Sequence, residues 1–562
     1  MTPTRSLGKY SQSTDEDDQE QDNTKASREA RVRAAGALLV GSAGIMVPDA
    51  SAEKPMIIDN EKDQPLCKPQ QLLKSKKSLQ VMKGYEHFVL TNEILKPRKI
   101  VIDKANHILV ISHNNGVYSV RMDECGNADI KQILGNDMTD LPVGDGLAVF
   151  GGYLYVSTTN SVYQFPYSDG QHSALLEGRK VVKNIHTIED AESPDIAIDP
   201  FGYAYLPRSV NQLSNPMNEN DAIIKKFNFR SIPKEGFDYD IDGELFAKGT
   251  NTYGVMGFDT QARLWGLNSI PTSDIMIDGV KTPYNIYANT IAEELNMYAS
   301  PGTHYGFPYC MTEFNLGSSK EGSVNLGKQW GHPGFMREDL SLDEYCQVEQ
   351  HNTPPSWPIE SNLVASSVQF FMGTFCSVGD DTTLGTSVGL PCNWTDTPLV
   401  ANHGNPSQPE GHNVVRLPYD DLGHKARWDK KPEVILAQKE SCQENECFSP
   451  YGLAIDKYGR LFVSSDATNE IVIVNRIYSK QAIYTITAKL EGEASKEDEG
   501  EEKEEAEGAE DEGAEDEKVE IIEGEVEEGD AQEGDAQEGD AQEGDAQEGD
   551  AQEVEEIEKD GV

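Results

Sequence analysis

Short apolar runs recur along this chain, each closed by Asp or Gly and followed, after a brief polar turn, by a second apolar run. The pattern reads IVIDKANHILVIS from Ile100, LAVFGGYLYVS from Leu147, IAIDPFGYAYL from Ile196, VMGFDTQARLWGL from Val255 and LAIDKYGRLFVSS from Leu453. A looser copy, VQFFMGTF, falls at Val368 to Phe375. Each predicts two short β-strands joined by a tight turn, because Asp, Gly and Lys-Tyr-Gly supply turn backbone while Ile, Val, Leu and Tyr favour the pleat. The first four copies are spaced by roughly 45 to 60 residues, about one four-stranded blade each. A sheet of that size cannot bury its faces alone, so several must pack radially. The chain therefore predicts an all-β fold, a β-propeller, and the repeats, with the looser copy, number six.

Composition then divides the chain. Residues 1–57 read as a polar arm plus an apolar segment, 58–478 as the propeller and 479–562 as a tail. The net charge of -49 is concentrated at the C-terminus, where residues 491–562 carry 35 acidic residues against four lysines. Five consecutive copies of EGDAQ run from Glu528 to Gln552. With almost no apolar residues to offset chain entropy, this tail is expected to be disordered and solvating. No basic, aromatic-rich patch survives the overall acidity, which excludes nucleic acid as a partner.

At the other end, Ala34 to Val47 (AAGALLVGSAGIMV) is weakly apolar, and Ala50-Ser51-Ala52 resembles a signal cleavage site. The run is shorter than the roughly 20 residues a spanning helix requires, so no integral membrane span is expected. The favoured reading is a secretory signal with a long polar n-region. Eight cysteines, an even count, suit disulfides. Cys442 and Cys447 (CQENEC) are expected to close a small loop; zinc is disfavoured by the lack of a CxxC pair and of a histidine nearby at zinc spacing. Asn393-Trp394-Thr395 is a glycosylation sequon. Together these features predict a secreted protein.

Four segments go beyond a generic propeller: GGYLYVSTTNSVYQFPYSDG (Gly151 to Gly170), IAEELNMYASPGTHYGFPYC (Ile291 to Cys310), EGHNVVRLPYDDLG (Glu410 to Gly423) and PYGLAIDKYGRLFVSSDATNEI (Pro450 to Ile471). In this order they resemble the soluble pyrroloquinoline-quinone (PQQ)-dependent sugar dehydrogenases, especially the pyranose and sorbosone dehydrogenase branch, over Lys96 to Val474. The resemblance implies a six-bladed propeller with PQQ in its mouth near a calcium ion. It also implies a histidine that takes the proton from a sugar's anomeric hydroxyl while hydride passes to the quinone. A base near neutral pKa suits that proton, guanidinium groups suit the cofactor's carboxylates, and the cofactor carries the redox step.

Measured against that pattern, the mouth positions are replaced. The family's His-Thr-x-Arg falls on Ala191 to Pro194, and its Arg-Asn on Gly249 to Thr252, where Asn251 is retained. The last arginine-bearing segment reads Phe448-Ser449-Pro450-Tyr451-Gly452, and His-Gly-Ser-Trp-Asn-Arg retains only His403-Gly404. An Asn-His-Gly becomes Gly144-Asp145-Gly146. Candidate substitutes are His186 and His304 for the base, Asn251 and His403 for cofactor contacts, and Asp145 for a cation. Lys225, Lys226 and Arg416 are read as structural.

Three functions are weighed. One is a secreted propeller that has lost or altered catalysis and binds a sugar or other small molecule at its mouth. Another is an active PQQ- and calcium-dependent oxidoreductase making a lactone from a sugar hemiacetal. The third is hydrolysis around a calcium ion. The first is favoured, because a scaffold outlasts the few residues that carry its chemistry.

Overall fold

The aspartate of the strand-pair signature closes each turn with its own side chain. Asp103 Oδ1 accepts from the backbone N–H groups of Ala105 (2.9 Å) and His107 (2.8 Å). Asp199, Asp259 and Asp456 repeat this on the residues two and four further on, at 2.9 to 3.0 Å. The other carboxylate oxygen faces the interior: Asp103 Oδ2 accepts the Tyr167 hydroxyl at 2.7 Å, and Asp259 Oδ2 the Trp265 indole N–H at 2.9 Å. These buried acids are satisfied by the turn they make. The copy at Leu147 lacks the aspartate and turns instead through Gly151 and Gly152, at φ of +61° and +82°, a region open to glycine.

The computed structural model describes residues 72–476 other than 124–125, 187–192, 212–213, 216–217, 219, 270–274, 278–279, 283–290, 315–325, 333–334, 336–340, 374–388, 406–410, 421–424 and 443–445. The apolar run at Ala34, the EGDAQ repeats, and Cys67, Cys125 and Cys376 lie outside the described residues. No helix among the described residues is long and apolar enough to cross a membrane.

The architecture is an all-β propeller. The first sheet is an antiparallel meander of Pro97–Ile102, Ile108–Ser112, Gly116–Met122 and Ala128–Leu134. A second sheet holds Leu147–Phe150, Tyr153–Ser157, Ser161–Pro166 and Arg179–Lys183, with Phe237–Asp238 added in parallel at its edge. The third holds Ala197–Ile198, Tyr203–Arg208, Ile223–Asn228 and Glu244–Lys248, extended by Thr303–His304. In the last sheet Pro450–Ile455, Leu461–Ser465 and Glu470–Arg476 are completed by Tyr85–Thr91 from the chain's other end, Phe88 opposite Ile473.

Four blades thus stand as separate sheets where the sequence predicts six. Of the other strands, nine form one sheet, because Thr252–Phe258 and Ala365–Phe370 pair in parallel through Val255 and Ser367, and five form two small sheets of three and two strands. The looser copy also departs from its expected form. Ala365–Phe370 is its first strand, but the partner is Pro398–Asn402, beyond a long insertion rather than a tight turn.

The core lies between neighbouring sheets. Leu109, Ile111 and Val117 of the first meet Leu147, Leu154 and Val156 of the second. Ala197, Tyr205 and Ile224 meet Met256, Leu264 and Tyr298. Ala454, Phe462 and Ile473 of the last sheet meet Ile100, Ile108 and Val110 of the first, which closes the circle.

Candidate functional site

Two positions in each strand pair point at the same end of the propeller. One lies two residues before the first apolar run, and the other is the first residue after the second strand. These place Arg98, Asp145, Pro194, Tyr253 and Tyr451, and His113, Ser209, Ser269, His403 and Asp466, at the mouth. A cavity of about 310 Å³ there is lined by Asp145, Ser193, Pro194, Asp195, Ser209, Asn211, Asn251, Thr252, Tyr253, Ser269 and Tyr451, with His186.

At the cavity's edge Arg98 is held on both sides. Its NH1 donates to Asp145 Oδ2 at 2.8 Å, its Nε to Asp466 Oδ2 at 3.3 Å, and its guanidinium lies 4.5 Å from the Tyr451 ring centre. Each acid is backed by a histidine: His113 Nδ1 is 2.9 Å from Asp145 Oδ1, and His403 Nε2 is 2.8 Å from Asp466 Oδ1. His113 Nδ1 is also 3.0 Å from Arg98 NH1, but one nitrogen cannot donate to the acid and accept from the guanidinium together. The carboxylate is the stronger partner and Arg98 already has it, so Nδ1 carries the proton and Nε2 the lone pair.

Burial works to lower the Arg98 pKa, but Tyr451, Asp145 and Asp466 raise it above its ordinary value, so its charge is permanent. Burial alone raises Asp466, yet hydrogen bonding and charge from His403 and Arg98 outweigh it and hold the carboxyl below the usual range.

Deeper in, Lys99 Nζ crosses from the first sheet to donate to Asp195 Oδ1 at 2.6 Å and to the Ile196 carbonyl at 2.8 Å. Asp195 Oδ2 accepts the Met256 N–H at 2.9 Å. The side chains of this pair are 9 % and 2 % exposed, a closed internal ion pair.

The segment where the resemblance expects the base and an arginine is filled differently. Ser193 Oγ lies 2.8 Å from Ser157 Oγ and accepts the Asp145 N–H at 3.2 Å, and Ser157 donates to the Pro194 carbonyl at 2.7 Å. Ala191 lies outside the described residues.

The structure brings Asp145, Asn251, His186 and His403 to the mouth and leaves His304 out of the cavity lining. Asp145 holds Arg98 and His113. Asn251 spends its amide on backbone, accepting from Val210 N–H at 2.8 Å and donating to the Ser269 carbonyl at 3.1 Å. His186 is buried, and burial, with the charge of Arg208, pushes its pKa down to about 4, so it is neutral. His304 accepts the Gly306 N–H at 3.0 Å and packs on Gly249; burial, then Lys248, takes it to about 4.

Lys225 is structural, donating to the Tyr239 and Asp242 carbonyls, as is Arg416, which holds Thr397 and Glu433. Lys226 lies over the Tyr203 ring at 4.2 Å. Asn393 of the sequon is exposed.

Cys442–Cys447 is a disulfide, as is Cys310–Cys346. No histidine stands at zinc spacing from the first pair in sequence, but in space His412, just ahead of the Asn413–Arg416 strand, brings a ring nitrogen within 4.8 Å of both sulfurs. His412 Nδ1 lies 2.7 Å from the His403 carbonyl. It packs on Gly404, whose φ is +81° and where a Cβ would lie 2.2 Å from that nitrogen. Gly404→Ala should cost about 1 to 3 kcal/mol, combining left-handed strain with the displaced ring. Urea unfolding of the purified variant checks this; an unchanged midpoint contradicts it.

A PQQ site needs free cationic groups for three carboxylates, and the described residues of the mouth do not offer them. Arg98 and Lys99 are outnumbered by Asp145, Asp195 and Asp466, and both cations are already engaged by those acids. The residues present do not fit PQQ. Nor do they fit calcium, which takes six to eight oxygens, because the Asp145 and Asp466 oxygens are occupied by Arg98, His113 and His403.

The family model described as TrAA12-like matches residues 79–477. A PQQ-dependent sugar dehydrogenase of Hypocrea jecorina (strain QM6a) is 22% identical over 422 residues, which is 70% of this chain and 88% of that protein. A PQQ-dependent pyranose dehydrogenase of Coprinopsis cinerea is 20% identical over 432 residues; the chain spans 55% of its length. Among solved structures, the calcium structure of the Trichoderma reesei family AA12 enzyme superposes with a TM-score of 0.59 at 20% identity, covering 73% of this chain and 100% of that one. The holo PQQ domain of the Coprinopsis cinerea pyranose dehydrogenase gives 0.58 at 18% identity, covering 73% and 98%.

Proposed function

The chain belongs to the TrAA12-like family, and from that premise we propose that it is a propeller which binds an uncharged polar small molecule of the carbohydrate class at its mouth and has lost or altered the quinone-dependent oxidation named in its relatives. The observation that carries this is the Arg98 guanidinium closed between Asp145 and Asp466. A tricarboxylate approaching that end meets an excess of acids and no open cation among the described residues. A neutral polyol meets the polar side chains of Ser209, Asn211 and Ser269 around the same cavity.

The nine-stranded sheet is read as two blades joined edge to edge. One runs from Thr252–Phe258 to Trp357–Glu360 and the other from Ala365–Phe370 to Glu433–Gln438, which makes six blades in all. Their apolar faces meet as those of the separate blades do, Trp265 and Leu295 against Val368 and Val400. An extracellular location accords with the disulfides and the exposed sequon at Asn393.

One observation favours the second reading, an active oxidoreductase. His113, oriented by Asp145, keeps Nε2 as a lone-pair nitrogen at the mouth, which is the arrangement of a general base.

Titrating the full chain with PQQ and calcium, while following quinone absorbance and melting temperature, separates the two. No saturable binding at high micromolar quinone is expected. Asp145→Asn with Asp466→Asn should free Arg98 and remove two like charges, raising quinone affinity at least about tenfold, the equivalent of about 1.4 kcal/mol. Saturable binding by the unmodified chain with a raised melting temperature, or sugar-dependent dye reduction abolished by chelation, overturns the proposal. A screen of neutral sugars for a thermal shift tests the binding half directly; no shift with any of them counts against it.

A further inference from the structure

The corner of the propeller beside the mouth holds a group the carbohydrate reading does not use. Cys442 and Cys447 are joined across a short loop, with Cys442 half-buried and Cys447 buried, and the buried His412 stands beside them. One ring nitrogen and both sulfurs lie mutually within 4.8 Å. A tetrahedral zinc centre with Zn–S near 2.3 Å and Zn–N near 2.0 Å spaces its ligand atoms by about 3.5 to 3.8 Å. On reduction the two sulfurs, now bonded to each other, separate to that spacing, and the imidazole nitrogen, within 4.8 Å of both, is already close to it.

The histidine is also set as metal ligands are set. His412 Nδ1 sits 2.7 Å from the His403 carbonyl, an oxygen that can only accept. Nδ1 must therefore carry the hydrogen, and Nε2 is the lone-pair nitrogen. A ligating imidazole characteristically donates its other N–H to a backbone carbonyl, which fixes ring orientation and raises basicity. The ring also packs closely on Gly404, where a Cβ would lie 2.2 Å from Nδ1.

We infer that reduction of Cys442–Cys447 opens a site for a thiolate-seeking divalent cation, zinc or cobalt(II), with Cys442, Cys447 and His412 as the protein ligands. A dithiol supplies two electrons and two protons, becoming a disulfide itself, and leaves two thiols on the chain. The cation then displaces both thiol protons to solvent and is held by two thiolates and the neutral imidazole. The fourth position falls to water on the half-buried side of Cys442. While the disulfide is intact both sulfurs are bonded to each other and the site is closed, so occupancy follows the redox state. The site also bears on the mouth, because the carbonyl that orients His412 belongs to His403, whose ring holds Asp466.

The test uses the full folded chain and cobalt(II) as a spectroscopic probe, before and after mild reduction with a water-soluble phosphine that is then removed. Cys310 and Cys346 are 3% and 1% exposed, against a half-buried Cys442, and Cys392 is disulfide-bonded as well, so the thiols released from Cys442 and Cys447 are counted as the difference from a Cys442→Ser, Cys447→Ser chain reduced in the same way, with two per chain expected. Thiolate-to-cobalt absorption should appear only in the reduced protein, saturate at one cobalt per chain and be displaced by zinc. His412→Gln should weaken binding at least tenfold with the thiol count unchanged, and Cys442→Ser with Cys447→Ser should abolish it. The inference fails if the reduced chain binds no cobalt, if binding is equal in the oxidised chain, or if His412→Gln binds as tightly as the unmodified protein. It fails equally if the native chain yields no thiols. A variant whose melting temperature falls below the assay range is replaced by His412→Asn, read in the same way.

Discussion

Replacing Lys99 with methionine should destabilise the propeller by about 3 to 5 kcal/mol, the range found when one member of a buried ion pair is removed. The reason is not the lost attraction but what stays behind. Asp195 is 2 % exposed at its side chain, and Lys99 supplies its one cationic partner. The surviving acceptor bond, from Met256 N–H at 2.9 Å, is too little to hold a full charge away from water. Lys99 also satisfies the Ile196 carbonyl, which the methionine leaves without that donor. Adding Asp195→Asn should recover part of the loss, since a neutral amide is far cheaper to bury. Urea unfolding of the two variants decides it. A Lys99→Met midpoint within about 1 kcal/mol of the unmodified protein would show that the pair is hydrated in solution.

Removing the Arg98 charge acts on pH dependence as well as stability. Arg98→Met leaves Asp145 and Asp466 facing each other with their histidines as the remaining partners, and should cost about 3 kcal/mol near neutral pH. The Asp466 carboxyl is held below its ordinary value although burial pushes it up, because His403 and Arg98 favour its charged form. Its contribution to stability is therefore fully present above the unfolded carboxylate range, near 4. It is lost as pH falls through the lower folded value. Without Arg98 the folded value rises, the contribution shrinks, and the acid limb of the stability curve moves to higher pH. Melting temperatures between pH 3 and 7 for both proteins read this out. Parallel curves would mean that His403 alone sets the Asp466 charge.

Much of this architecture is written in the strand pairs themselves. The Asp103, Asp199, Asp259 and Asp456 turns are legible because the carboxylate, the turn and the second strand lie within a few consecutive residues. The pairing of Ala365–Phe370 was not, because its partner begins at Pro398 and no local signal spans the insertion. Nor was the parallel contact of Val255 with Ser367, which joins sheets that the repeat treats as separate.

At the mouth, Asp145 and His403 were found from the positions where a familiar motif is altered. Arg98, His113 and Asp466 lie outside the altered motifs, and Tyr451, inside the segment Phe448 to Gly452, is legible there only as part of a replacement. The signal was present in the repeat phase: superposing the copies puts Arg98, Asp145 and Tyr451 in one column and His113, His403 and Asp466 in another. What the columns do not encode is which member meets which across the central channel. His412 beside Cys442 and Cys447 is beyond sequence spacing altogether, because strand pairing brings it there.

The strand Tyr85–Thr91 finds its strand partner in Glu470–Arg476, at the far end of the described residues. During synthesis at roughly 5 to 20 residues per second, it emerges on the order of 20 to 80 s before that partner exists. Its backbone N–H and C=O groups stay unpaired for that interval, an open edge of the kind that recruits other chains. A chain stopped before Pro450 would have no last sheet to close on, leaving one face of Ile100, Ile108 and Val110 bare. Among the described residues, the last strand made is the one that covers this edge.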